Sequence, residues 1–210
     1  MAHSDCGDNI EFDGISTAYR RVLWVVIAIN GTMFLVEIVF GMFAESQALK
    51  ADALDFLGDT ATYSISLFVI GMPLIWRSRA ALFKGASLGV MGLWVMGSTA
   101  YHAVVVGAPQ AEVMSAIGFV ALTANLASVL LLLKYRDGDA NMRSVWLCSR
   151  NDAIGNLAVI LAAGGVWASG TVWPDLIVAG IMATLFLTSS VQIVRRARAE
   201  LRQAVELRTA

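Results

Sequence analysis

The sequence predicts an all-α integral membrane protein, a six-helix transmembrane bundle with both termini in the cytoplasm. Three observations predict it: a composition too apolar for water, six apolar runs of bilayer length, and basic residues gathered on one side. Hydrophobic residues fill 58% of the 210 positions and charged residues only 15%, with a mean hydropathy of +0.69. A water-soluble domain of this size needs a more polar exterior. The formal net charge is −1, and no basic block with interleaved aromatics argues for a nucleic-acid partner. Two cysteines, Cys6 and Cys148, are too few for a disulfide framework.

A helix needs about 20 apolar residues to cross the hydrocarbon core. The first such run, Tyr19–Phe43, follows a polar segment, residues 1–18, with four acidic side chains. That segment does not read as a cleavable signal peptide, so the first run is its own insertion signal. Ala44 and Glu45 separate it from the second run, Ser46–Trp76, which ends ahead of Arg77, Ser78 and Arg79. The third run, Ala81–Gly107, stops at Ala108, Pro109 and Gln110. The fourth, Ala111–Tyr135, is followed by the polar stretch Arg136–Asn141. The fifth is Met142–Ser169 and the sixth, after Gly170, Thr171 and Val172, is Trp173–Arg195. Residues 19–195 therefore form the transmembrane unit, with a polar tail at 1–18 and a short basic tail at 196–210 that extends the last helix or lies along anionic headgroups. Trp24, Trp76, Tyr101, Tyr135, Trp146 and Trp173 fall near span ends, where amphipathic rings favour the headgroup level.

Lys and Arg set the orientation. With the N-terminus inside, fourteen of the fifteen basic residues face the cytoplasm, and Lys50 alone faces outward. Positive charge on the inner side is the strongest topological signal a membrane sequence carries. The expected location is the cell (inner) membrane, crossed several times.

Charges within the spans carry the chemistry, because an Asp at mid-membrane costs about 2.5–3.5 kcal/mol on insertion scales. In the second span Asp55 and Asp59 are four apart, on one helical face, and Asp52 precedes them by one turn on the outer side. In the fifth span Cys148 and Asp152 are four apart, and Asn156 follows one turn later. The two spans run in opposite directions, so Asp59 and Asp152 reach similar depth. Two i, i+4 pairs offer four ligands, the number a tetrahedral metal takes. Three carboxylates and a thiolate favour Zn²⁺ or Cd²⁺ over harder cations. Protons must replace the metal when it leaves, since bare carboxylates do not stay close in a low dielectric. The competing reading, helix–helix pairing by buried polar groups, is disfavoured because no basic residue is expected at that depth.

At these residues the sequence resembles the cation diffusion facilitator family over essentially all six spans. Asp55 and Asp59 match its second-span pair, and Asp152 matches the second position of its fifth-span pair. Cys148 stands where the family usually has His. The entry to the second span, Ser46 to Ala53, and Asn30, Glu37, Asn125 and Asp175 also resemble its recurrent polar positions. The resemblance implies proton-coupled efflux of divalent metal by alternating access, usually as a homodimer. Against the family pattern, no cytoplasmic metal-binding domain follows the sixth span, no His-rich loop joins the fourth and fifth, and a ligand His is replaced. A short member is therefore expected.

The remaining polar residues divide less cleanly. Asp52 gathers cations at the outer mouth or is simply hydrated there, and Glu37 is a proton carrier or a structural hydrogen-bonder. Together with Asn156 they are candidates for the cavity and for proton coupling. Asn30, Asn125 and Asn156 read mainly as interhelical hydrogen-bonders. His102 reads as structural. His3 and Cys6, beside Asp5 and Asp8, are better read as part of a floppy terminus than as metal ligands. Gly85 and Gly89 form a small-x-x-x-small pair suited to close helix packing and to a dimer face. The expected function is export of divalent cations in exchange for protons, with no enzymatic role, no resident cofactor, and metal ions, protons and lipid as partners. A non-transporting metal receptor and a passive channel are the rivals.

Overall fold

The computed structural model describes residues 17–68, 74–105, 107–135 and 140–209. Those residues form six α-helices: α1 Thr17–Phe43, α2 Gln47–Phe68, α3 Leu74–Val105, α4 Ala111–Leu132, α5 Ala140–Ser169 and α6 Trp173–Thr209. A 3₁₀ turn, Leu133–Tyr135, ends α4. The protein is a multi-pass helical membrane bundle. Five of the helices are long and apolar enough to cross a bilayer. The sixth, α2, falls short in hydropathy because it holds Lys50, Asp52, Asp55 and Asp59. It packs along α1 inside the bundle.

The break between the second and third helices differs from expectation. The second span was expected to reach Trp76, but Trp76, Ser78 and Arg79 belong to α3, which starts at Leu74. The sequence reads Gly71, Met72, Pro73 just ahead of that start, and proline cannot continue a helix but suits the beginning of one. α6 also runs further than its apolar run, so the stretch read as a basic tail is helical as far as Thr209.

Packing divides the bundle into a four-helix group, α1, α2, α4 and α5, and a closely packed pair, α3 and α6. An outer apolar cluster joins Ala44, Leu49, Met114, Val159 and Val166. An inner one joins Tyr19, Leu23, Tyr63, Leu132 and Cys148. The charged residues of α2 lie between these two layers. A third cluster, with Ala51, Leu54, Val95, Ala183 and Phe186, seats α2 against α3 and α6. Large apolar side chains point outward, Leu35, Phe43, Phe83, Leu93 and Trp167 among them. In water such a surface would drive association; here it is the lipid face.

The α3–α6 pair is built on small residues. A Cβ on Gly85 would meet Val194 at 2.8 Å, one on Gly89 would meet Ser190 at 2.7 Å, and one on Gly92 would meet Leu187 at 3.0 Å. Ser190 Oγ donates to the Gly85 carbonyl at 2.6 Å. The Gly85/Gly89 stripe is thus spent on α6 of the same chain and not on a dimer face. The turn between α1 and α2 is a Schellman closure, with Ser46 N–H bonded to Gly41 O and Glu45 N–H to Met42 O. It places Glu45 at φ 57°. Gly170, at φ 63°, ends α5 in the left-handed conformation that glycine adopts without strain.

Candidate metal centre

α2 and α5 cross at the level of their acids. The i, i+4 spacing turns Asp55 and Asp59 to one face of α2, and α5 brings Asp152 to that face. Asp152 lies within hydrogen-bonding reach of both. Carboxyl groups this close need a proton or a cation between them. Tyr63, one turn inward of Asp59 and 1% exposed, donates its hydroxyl to Asp59 Oδ2. Ser149 of α5 flanks the same hydroxyl. Tyr63 was not singled out from sequence, although Asp59 and Tyr63 form an i, i+4 pair on the ligand face.

A basic residue does lie within reach of the acids, contrary to the sequence expectation. Lys84 of α3 is a charge neighbour of both Asp55 and Asp59. The reason is the early start of α3. Counted from Ser78, where the apolar part of α3 begins, Lys84 sits about 9 Å along the helix at 1.5 Å per residue, deeper than a span starting at Ala81 would leave it.

Cys148 takes a different position from the three acids. It is buried in the inner apolar cluster, and its sulfur is disulfide-bonded rather than a free thiol. Ligation by Cys148 therefore requires reduction. Among the described residues, no three His, Cys, Asp or Glu side chains are gathered tightly enough to enclose a metal ion. The donor set fits a divalent cation in charge and chemistry.

Outward of the centre lies a second acidic level. Gly31 faces Thr60, and Gly41 faces Leu49 and Lys50, which fixes the antiparallel register of α1 on α2. Glu37 then stands opposite Ala53 and Leu54, flanked by Asp52 and Asp55. Both neighbours act on it electrostatically. Glu37 is fully buried and Asp52 is 1% exposed, and the two carboxyl groups lie within hydrogen-bonding reach of each other. Asn156, also fully buried, has both side-chain polar atoms without a hydrogen bond. Asn30 donates to Val26 O of its own helix. These two asparagines therefore do not tie helices together, as had been expected of them, and Asn125 is 1% exposed. His102 is structural, its Nδ1 lying 2.9 Å from Ser98 O one turn earlier. His3 and Cys6 lie outside the described residues.

A multi-span helical membrane protein with an acidic centre between two of its helices is the class these features define. Residues 76–201, more than half of the chain, match the family described as the cation efflux transmembrane domain, and the chain belongs to that family. Its members are transporters, not enzymes. The chain is 26% identical over 176 residues to the "Metal cation efflux system protein CzcD" of Cupriavidus metallidurans, covering 76% of this chain and 54% of the relative. It is 29% identical over 128 residues to "Metal tolerance protein A2" of Arabidopsis thaliana, covering 55% and 33%. It is 32% identical over 84 residues to "Zinc transporter ttm-1" of Caenorhabditis elegans, covering 37% and 20%. The chain spans about half the length of the first of these curated relatives.

Proposed function

We propose that this chain moves divalent metal cations, Zn²⁺ or Cd²⁺, out of the cytoplasm in exchange for protons. The observation that carries this reading is the meeting of Asp55 and Asp59 on α2 with Asp152 on α5, between two apolar layers. The family and the relatives' names support cation efflux as the activity. In this reading the metal enters from the inner side and displaces the protons held among the three carboxylates. Cys148, when reduced, supplies a fourth and softer ligand. Rocking of the helices then turns the site outward, where protons return and the metal leaves. Glu37 and Asp52, one level further out, receive charge on the way, and Asn156 lines the same path. The working unit is a homodimer in the cell membrane, as the family resemblance implies.

Metal uptake into inside-out proteoliposomes, with Zn²⁺ or Cd²⁺ and with or without a pH gradient, tests the proposal. Gradient-driven accumulation that vanishes in Asp59→Ala and Asp152→Ala is the expected result. Uptake indifferent to the gradient would mean a channel. Binding without uptake would mean a receptor.

A further inference from the structure

The first turn of α2 is capped by a side chain from the far end of the chain. Asp175, in the first turn of α6, accepts Ser46 Oγ on Oδ1 at 2.6 Å, Ala48 N–H on Oδ1 at 3.0 Å and Gln47 N–H on Oδ2 at 2.8 Å. Ser46 Oγ in turn accepts Leu49 N–H at 3.1 Å. The opening N–H groups of a helix lack partners within it, and a residue just before the helix usually meets them. Here a carboxylate borrowed from α6 meets two of them and orients the serine that meets a third. It also sets negative charge against the positive end of the α2 dipole. α3 adds a bond of its own, Ser98 Oγ to Gln47 Oε1 at 2.6 Å.

These bonds join the α3–α6 pair to the helix that bears the acids, and they do so at the outer end of α2. Burial follows the same division. Every residue from Ser46 to Leu54 is buried, Asp175 itself is fully buried, and Asp55, Gly58, Asp59 and Thr60 further in are only partly so. The outer half of α2 is closed by α3 and α6 on one side and by α1, α4 and α5 on the other, while its acidic middle is less enclosed.

Resting on the efflux reading, we propose that the Asp175 cap is the outer latch of the carrier. It is closed while the acids face the cytoplasm, and it is released when α2 parts from α3 and α6 to let the metal out. Asp175 is then a positioning residue, acting through α2, and touches no cargo.

The test uses the full chain, comparing wild type with Asp175→Asn and with the milder Ser46→Ala. Three quantities are read: hydrogen exchange across 46–54, the cytoplasmic-side KM for Zn²⁺ uptake in proteoliposomes, and the Zn²⁺ affinity of detergent-solubilised protein, which is reached from both sides. A latch predicts exchange faster by about tenfold in Asp175→Asn, the effect of losing a cap. It also predicts a KM raised severalfold with solubilised affinity unchanged, and smaller shifts of the same sign in Ser46→Ala. Affinity falling in step with uptake would show that Asp175 shapes the site, which overturns the latch. Unmoved exchange and KM in an active protein would overturn it as well. A wild type that takes up no metal would sink the efflux reading instead, a result distinct from either.

Discussion

Tyr63 fixes the rotamer of Asp59 by a hydrogen bond formed away from water. Hydrogen bonds to charged groups contribute about 1.5–3 kcal/mol, so Tyr63→Phe is expected to lower kcat/KM for metal uptake by about tenfold without affecting insertion. Lys84 acts with the opposite sign. Its positive charge opposes a cation at Asp55 and Asp59, and Lys84→Gln is expected to tighten equilibrium Zn²⁺ binding by about tenfold in titration calorimetry, as the loss of one nearby like charge would. Cys148→His in reduced protein should move preference from Cd²⁺ toward Zn²⁺; an unchanged ratio of the two uptake rates would remove Cys148 from selectivity. The Asp55/Asp59 pair was legible in the sequence because four-residue spacing on a helix fixes a shared face whatever the fold. Lys84 was not, since its depth depends on where α3 begins, and apolar patterning locates a helix start poorly. Asp175 was legible as a polar residue but not as a cap, because the helix it caps begins 128 positions earlier.

At the scale of elements, α2 is the helix least able to enter a membrane alone and the one that holds the acids. Its neighbours carry its insertion: apolar clusters seat it at its outer end, its inner end and against α3 and α6, and its first turn is satisfied from α6. The α3–α6 pair depends on missing side chains. Gly89→Val places bulk where Ser190 Oγ already lies 2.7 Å from a Cβ position. It should destabilise the protein by about 1–3 kcal/mol, the usual cost of overpacking, seen as a lower melting temperature in detergent. Gly97 has no atom within 4 Å of its Cβ position, so Gly97→Ala should be neutral or stabilising, up to about 1 kcal/mol from helix propensity. The glycine spacing was readable from sequence. Its partner was not, because a small-residue stripe packs equally well on another copy or on a helix of its own chain, and only the tertiary arrangement decides.

For the whole molecule, the distribution of Lys and Arg places both ends on one side of the membrane. Reporter fusions at residues 1 and 210 should both read cytoplasmic; opposite readings would mean an odd number of crossings and would undo the depth argument for Asp59 and Asp152. The one outward-side lysine, Lys50, is 9% exposed and lies within charge range of Asp175 and Glu45. The 37 residues of α6 make a rod about 55 Å long, against a hydrocarbon core of about 30 Å. Near its inner end Glu200 accepts Ser78 Oγ from the start of α3 at 2.9 Å, so the two helices are joined along their length. The surplus of about 25 Å over the core carries Arg196, Arg198 and Arg202 beyond the hydrocarbon, so the charged end of α6 is held to α3 outside the apolar layer.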